Sequence, residues 1–142
     1  MSTQIYCILR TTKLEMNVLK AQIKTDAAPA AIGPYSQGID AGNTVYVSGQ
    51  LPIDASTGKM PEGIAAQTEQ SLKNISAILA EQGMSLDNVV KTTVFLANME
   101  DFAAMNEVYG KYFHAPFPCR SAFQVAKLPL GAPLEIECIA VK

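Results

Sequence analysis

A stripe of mostly apolar residues recurs every three or four positions between residues 64 and 82, which is the spacing of one face of an α-helix. The repeating positions are Ile64, Thr68, Leu72, Ile75 and Leu79. Gly83 follows the stripe, and a glycine at that place is typical of a helix end. The pattern therefore predicts an amphipathic helix with one face on a core.

A second stripe begins after Asn98, a residue whose side chain can cap a helix. Acidic residues in the first turn suit the positive end of the helix dipole. The buried positions of this predicted helix are Phe102, Met105, Tyr109 and Tyr112. Asn106 lies near the edge of the stripe.

The pair Gly42-Asn43 lies between two strand-like segments, 38–41 and 44–49, and such a pair joins strands as a two-residue hairpin turn. Alternation in the second segment puts its two valines on one face. The side chains on its other face are Thr44, Tyr46 and Ser48. Gly49 follows, where a glycine lets a ligand or another backbone come close.

Three further segments have strand character. Residues 89–97 are rich in β-branched and aromatic side chains, and residues 121–125 predict a buried strand that ends before a proline. In the last segment, 134–141, apolar residues alternate with a face that carries Glu135 and Glu137. An exposed antiparallel face explains Glu137 without any function.

The loop 126–133 is short, so we expect the last two strands to be neighbours in the sheet, which would bring Glu135 near Arg120. The predicted order is strand, hairpin, helix, strand, helix, strand, strand. One sheet with two helices on one face accounts for it, which is an α+β architecture. With 49% hydrophobic and 17% charged residues, the chain is expected to cover the other face with copies of itself.

Length and charge limit the classes of protein to which this chain can belong. A chain of 142 residues suits one domain, and a net charge of −2 with scattered Lys and Arg argues against nucleic-acid binding. No apolar run approaches the ~20 residues of a membrane span. His114 is the single histidine and the three cysteines have no CxxC spacing, so we expect no metal, no cofactor and a reducing compartment, the cytoplasm.

Residues 1–24 differ in composition from the rest, with Ser, Thr, Arg and Lys and no acid before Glu15. We interpret them as an N-terminal extension to a domain at 25–142, with a transit peptide as the alternative. Translation from Met16 would also explain them. Val18, Ala21 and Ile23 could form a first strand at the end of this segment.

Arg120 is the residue at which we place the chemistry. Pro116 and Pro118 restrict the backbone before it, so the approach to the arginine is stiff. An arginine that enters an apolar strand needs an anion to offset its desolvation. That anion is either a ligand or a carboxylate of the protein itself, and the residues alone leave both alternatives open.

Five motifs resemble the YjgF/RidA family of reactive-intermediate deaminases, and the resemblance runs from about residue 24 to the C-terminus. They are GPYSQG (33–38), VYVSGQLP (45–52), VVKTTVFLANMEDFAAMNEVY (89–109), FPCRSAFQVAKLP (117–129) and LEIECIAV (134–141). The resemblance implies a chorismate-mutase-like α+β fold. It also implies a homotrimer whose sheets form a central barrel, with a ligand pocket at each subunit interface.

The resemblance further implies hydrolysis of 2-imino acids and their enamine tautomers to 2-keto acids and ammonia. Arg120 would bind the substrate carboxylate, Glu135 would position the water, and Tyr35 would close the pocket from the neighbouring subunit. The other implied pocket residues are Ser48, Gly49, Asn106 and Ala122. Many members have cysteine where this chain has Ala122, so a role that needs a thiol is lost there.

Two other functions remain open at this point. A non-catalytic trimer could bind small carboxylates with the same fold, although the retention of Arg120 and Glu135 favours an enzyme. The second alternative is a nuclease or translation inhibitor. The acidic pI of about 5.3 argues against this function, because proteins that bind nucleic acid usually carry a basic surface.

Overall fold

The computed structural model describes residues 20–142, which form one six-stranded sheet and two helices. The strands are β1 (Ala21–Ile23), β2 (Gly38–Asp40), β3 (Thr44–Gln50), β4 (Val89–Leu96), β5 (Cys119–Gln124) and β6 (Leu134–Val141). The helices are α1 (Ile64–Ala80) and α2 (Phe102–Tyr112). This is the predicted order, and the α+β class is confirmed. Val18, part of the predicted first strand, lies outside the described residues.

Local turn chemistry sets several ends of these elements. Past the end of α1, Gly83 has a φ of +66° and the amide of Met84 donates to the carbonyl of Leu79 at 3.1 Å. Asn98 accepts from the amide of Glu100 at 3.0 Å, and it caps a short 3-10 turn, Met99–Asp101, that leads into α2. Both helix signals in the sequence are therefore confirmed.

The hairpin between β2 and β3 is also confirmed. The amide of Ala41 donates to the carbonyl of Thr44 at 2.8 Å across the two-residue turn. Gly42 has a φ of +89°, a conformation that favours glycine, and its amide donates to Oδ1 of Asp40 at 2.9 Å.

The strand order across the sheet is β1-β2-β3-β6-β4-β5, so the expectation that the last two strands are neighbours is wrong. β4 lies between them, parallel to β5 and antiparallel to β6. Neighbouring strands are about 4.8 Å apart, so a loop of this length easily carries the chain across one intervening strand. The loop length alone did not determine the pairing.

The core lies between one face of the sheet and the two helices, which pack against each other. α1 contacts β3 and β6 and contributes Leu72, Ile75 and Leu79 as fully buried side chains. The alternating residues of β6 that face it are Leu134, Ile136, Cys138 and Ala140. These are the faces that the sequence pattern predicts.

The opposite face of the sheet, which we call the outer face, has no layer of described residues over it. Tyr46 of β3 is 49% exposed there and Phe123 of β5 is 45% exposed. The strand predicted as buried at 121–125 is therefore an exposed edge strand in the single chain. Phe123 of this strand belongs to an uncovered surface, whereas its neighbour Ala122 packs against the core.

Candidate functional site

Arg120 lies on β5 and faces α2, on the helix side of the sheet. The Cζ atom of its guanidinium is 4.6 Å from the ring centroid of Tyr109 and 5.5 Å from that of Phe102. No Asp or Glu among residues 20–142 has an oxygen within 4.0 Å of its nitrogens. Within the described residues, no carboxylate is close enough to form the ion pair that the sequence left open for Arg120.

A cleft of about 390 Å³ opens beside this arginine. Its lining residues are Asn106, Tyr109, Gly110, Phe117, Pro118 and Arg120. Asn106 and Arg120, both predicted from the sequence, are therefore brought together. Ala122 is the next residue of β5 on the same face and packs against the core.

A second cleft, of about 380 Å³, lies elsewhere on the chain and is lined mostly by loop residues. Two of the predicted residues, Tyr35 and Gly49, contribute to its wall. Tyr35 is 51% exposed, so its ring is free to contact a molecule outside the chain.

Two buried amide side chains hold the walls of this second cleft. The Nε2 of Gln37 donates to the carbonyls of Thr25 and Pro29 at 3.0 and 2.8 Å. The Nδ2 of Asn74 donates to the carbonyls of Leu51 and Ile53 at 3.1 and 2.9 Å. The loops are thus fixed before any ligand arrives.

Glu135 lies on the outer face of the sheet, directly beside Gly49. A Cβ atom at Gly49 would be 2.7 Å from the Cδ and 3.0 Å from the Cγ of Glu135, so glycine is needed for this approach. Burial raises the pKa of Glu135, and the negative charge of Glu137 raises it further. Ser48 lies beside them, and its Oγ donates to the carbonyl of Ser36 at 2.5 Å.

The predicted site residues therefore form two groups in one chain. The first group, on the helix side, contains Arg120, Asn106 and Ala122. The second contains Tyr35, Ser48, Gly49 and Glu135. Because Arg120 faces α2 and Glu135 lies on the outer face, the two side chains that should share a substrate open onto different sides of the sheet.

Sequence reasoning missed the polar and aromatic residues that support these groups. Tyr109 and Phe102 were predicted only as buried helix positions, and their seven-residue spacing was the one available signal that they share a face. The Tyr109 hydroxyl is 2.7 Å from Oγ1 of Thr92, a fully buried residue of β4. Gln37 lies in the GPYSQG motif, but no role was predicted for it, and Asn74 had no sequence signal beyond its polarity.

The described residues contain no group of three or more His, Cys, Asp or Glu side chains arranged to hold a metal ion. Burial raises the pKa of the Cys138 thiol to about 12, so this group stays protonated near neutral pH. Among residues 20–142 there is no helix long and apolar enough to cross a membrane.

Comparison with known proteins gives consistent matches. The family model described as endoribonuclease L-PSP matches residues 25–142. Reactive Intermediate Deaminase A, chloroplastic, of Arabidopsis thaliana is 53% identical over 125 residues, which cover 87% of this chain and 67% of that protein. The 2-iminobutanoate/2-iminopropanoate deaminase of Mus musculus is 48% identical over 127 residues, 89% of this chain and 94% of that protein.

A solved structure, Escherichia coli TdcF with bound serine, superposes with a TM-score of 0.84 at 46% sequence identity and covers 87% of this chain and 99% of its own. The chain therefore belongs to the endoribonuclease L-PSP family, which confirms its resemblance to the YjgF/RidA reactive-intermediate deaminases.

Proposed function

We propose that this chain hydrolyses 2-imino acids such as 2-iminobutanoate and 2-iminopropanoate, with their enamine tautomers, to 2-keto acids and ammonia. The observation that carries the proposal is the guanidinium of Arg120, which has no carboxylate partner among residues 20–142 and borders an open cleft. A guanidinium binds a carboxylate through two parallel hydrogen bonds, which fixes the adjacent imine carbon. Relatives named as deaminases of these imino acids support the same chemistry.

The reaction needs a placed water and one group that moves a proton. In the protonated imine, the water oxygen bonds to the imine carbon as the C=N electron pair moves to nitrogen, and Glu135 would accept the proton that this water releases. Glu135 would then return that proton to the nitrogen of the resulting carbinolamine, so the carboxylate is regenerated. The C–N bond breaks as the C=O bond forms, and the departing ammonia takes the hydroxyl proton and leaves as ammonium.

The separation of the two groups of residues leads us to infer that the site forms between copies of the chain. Arg120, Asn106 and Ala122 would come from one subunit, and Tyr35, Ser48, Gly49 and Glu135 from the next. The exposed Tyr46 and Phe123 on the outer face support burial against further copies. A homotrimer around that face satisfies both requirements with one kind of interface.

The substrate class also has support from the relatives. The solved TdcF structure contains serine, a small amino acid whose carboxylate resembles that of an imino acid. We propose the cytoplasm as the location, and an organelle is the alternative because one relative is named chloroplastic. Attachment of a fluorescent protein after Lys142 would decide between them in cells.

The direct test adds the protein to a pyridoxal-phosphate dehydratase acting on threonine or serine and follows keto-acid formation. We expect micromolar protein to accelerate the release of keto acid over buffer. Arg120→Ala should lower kcat/KM by about 100-fold, since roughly 3 kcal/mol of carboxylate binding is lost. Calorimetry with 2-ketobutyrate separates the alternatives, because binding without any acceleration would indicate a non-catalytic sensor.

A further inference from the structure

Two aromatic rings of α2 support the guanidinium of Arg120. The Tyr109 centroid, at 4.6 Å from Cζ, is the nearer of the two. An aromatic ring attracts the face of a guanidinium. The N–H donors of the guanidinium point outward in its own plane. Such a contact holds the cation without neutralising its charge, so the donors stay available for an anionic ligand.

Tyr109 is itself fixed at both ends of its ring. Its hydroxyl is 2.7 Å from Oγ1 of Thr92, and its ring centroid is 4.5 Å from that of Phe113. Thr92 is the residue of β4 that pairs with Arg120 of β5, and it is 0% exposed. The tyrosine is thus anchored to the strand next to the arginine it supports.

This anchoring matters because β5 is the edge strand of the sheet, so Arg120 has a neighbouring strand on one side only. Arginine has a long stem with many rotamers, and ordering that stem costs conformational entropy. A ring locked by a buried hydrogen bond provides a fixed surface for the guanidinium before a ligand binds. Preorganisation of this kind increases affinity by reducing the ordering that binding requires.

We propose that Tyr109, held by its hydrogen bond to Thr92, is a positioning residue that sets the orientation of Arg120 and thereby the selectivity of the site for carboxylates. The inference rests on the proposed function, in which Arg120 binds the substrate carboxylate. Tyr109 borders the cleft, and the role proposed for it is exercised through the guanidinium and not on the reacting atoms.

The test measures selectivity, which a merely structural residue would leave unchanged. Calorimetry compares the Kd of 2-ketobutyrate with that of its neutral amide, which lacks the carboxylate. Tyr109→Leu keeps an apolar side chain but removes the ring, and we expect the preference for the carboxylate to fall by about 10-fold. Tyr112→Phe removes a hydroxyl from the same helix away from Arg120 and should leave that preference unchanged.

Two milder variants decide the matter if Tyr109→Leu does not fold. Tyr109→Phe and Thr92→Val each break the same hydrogen bond while keeping the shape of the side chain, and each should lower the carboxylate preference about threefold. The double variant should be no worse than either single one, because only one bond is lost. Unchanged selectivity in both single variants would overturn the proposal.

The outcome is distinguishable from failure of the proposed reaction. If wild-type protein binds 2-ketobutyrate but does not accelerate imine hydrolysis, the reaction is wrong, and the selectivity of the Tyr109 variants still tests the positioning role. If wild-type protein does not distinguish the keto acid from its amide, there is no carboxylate recognition for Tyr109 to support, and the positioning proposal is wrong.

Discussion

At the level of single residues, Gly49 is explained by its neighbour. Its φ lies outside the left-handed region, so conformational freedom is not what position 49 requires. The requirement is space, because the Glu135 side chain occupies the volume that a Cβ would fill. The sequence suggested a close approach at this glycine, but it could not reveal that the approaching group is the carboxylate proposed for catalysis.

Replacement of Gly49 by alanine should therefore displace Glu135. In the coupled assay we expect kcat of Gly49→Ala to fall by about 10-fold or more, because a carboxylate moved by an ångström no longer directs the water well. Binding of 2-ketobutyrate through Arg120 should change much less. In a Glu135→Ala background the glycine substitution should have no further effect, and an additive loss there would contradict this explanation.

The raised pKa of Glu135 predicts a pH dependence. A general base must be deprotonated, so kcat/KM should fall on the acid side at a higher pH than for an ordinary carboxyl group. Glu137 contributes to the shift by like-charge repulsion. Glu137→Gln removes that charge, lowers the pKa of Glu135 and should move the acid limb to lower pH.

The matched control is Glu107→Gln, which removes the same charge from an exposed position on α2, across the sheet from Glu135. It should leave the acid limb in place. An acid limb that does not move in Glu137→Gln, or that moves equally in both variants, would argue against Glu135 as the titrating base.

At the level of helices and strands, the features that the sequence predicted correctly are those that depend on residues close together in the chain. The start of α1 and the hairpin follow from side-chain spacing and glycine positions and were predicted correctly, whereas the predicted helix end at residue 82 lies two residues beyond the observed end at Ala80. Strand order depends on pairings between distant segments, and β6 inserts between β3 and β4. This insertion puts β4 between the strands that carry Arg120 and Glu135. The short loop from β5 to β6 therefore could not predict whether the two side chains lie close together.

The packing of α1 on α2 includes one polar contact that can be measured. The Tyr112 hydroxyl donates to Oε1 of Glu69 at 2.6 Å, and burial together with this carboxylate raises the pKa of Tyr112 to about 12. Between neutral pH and about 10 the phenol is protonated in both folded and unfolded chains and Glu69 is ionised, so the bond is fully present. The stability it gives is lost as the pH rises from about 10 to 12.

A double-mutant cycle with Tyr112→Phe and Glu69→Ala isolates this contact, because each substitution removes one partner of the hydrogen bond. Urea denaturation at pH 7 should give a coupling free energy of about 1 kcal/mol, below the range for charged hydrogen bonds because Glu69 is partly exposed and also pairs with Lys73. A coupling near zero would mean that the contact contributes nothing to the packing of the two helices.

At the level of the whole molecule, the proposed trimer would explain both the outer face and the divided site. Within one chain the outer face has exposed aromatic side chains, and the two groups of site residues are apart. In the proposed trimer, association through this face would cover the aromatics, and contact at the β5 edge would bring the Arg120 group of one subunit to the Glu135 group of the next. The apolar composition suggested the association, whereas the division of the site became visible only from the opposite sides of the sheet that Arg120 and Glu135 face.

Subunit mixing tests this division directly. Arg120→Ala and Glu135→Ala should each be nearly inactive, but co-refolding equal amounts should restore about a quarter of wild-type activity for random cyclic trimers. The reason is that about three quarters of such trimers contain both variants, and each mixed trimer has one interface where both residues are intact.

The control pairs Glu135→Ala with Tyr35→Ala, which alter the same group of residues. Every interface of their mixed trimers receives one of the two substitutions, so the mixture should have no more than the average activity of the two variants. Recovery in the first mixture alone would require that Arg120 and Glu135 act from different subunits. If neither mixture recovers, although an affinity tag on one variant captures the other as a mixed trimer, the two residues do not form a shared site.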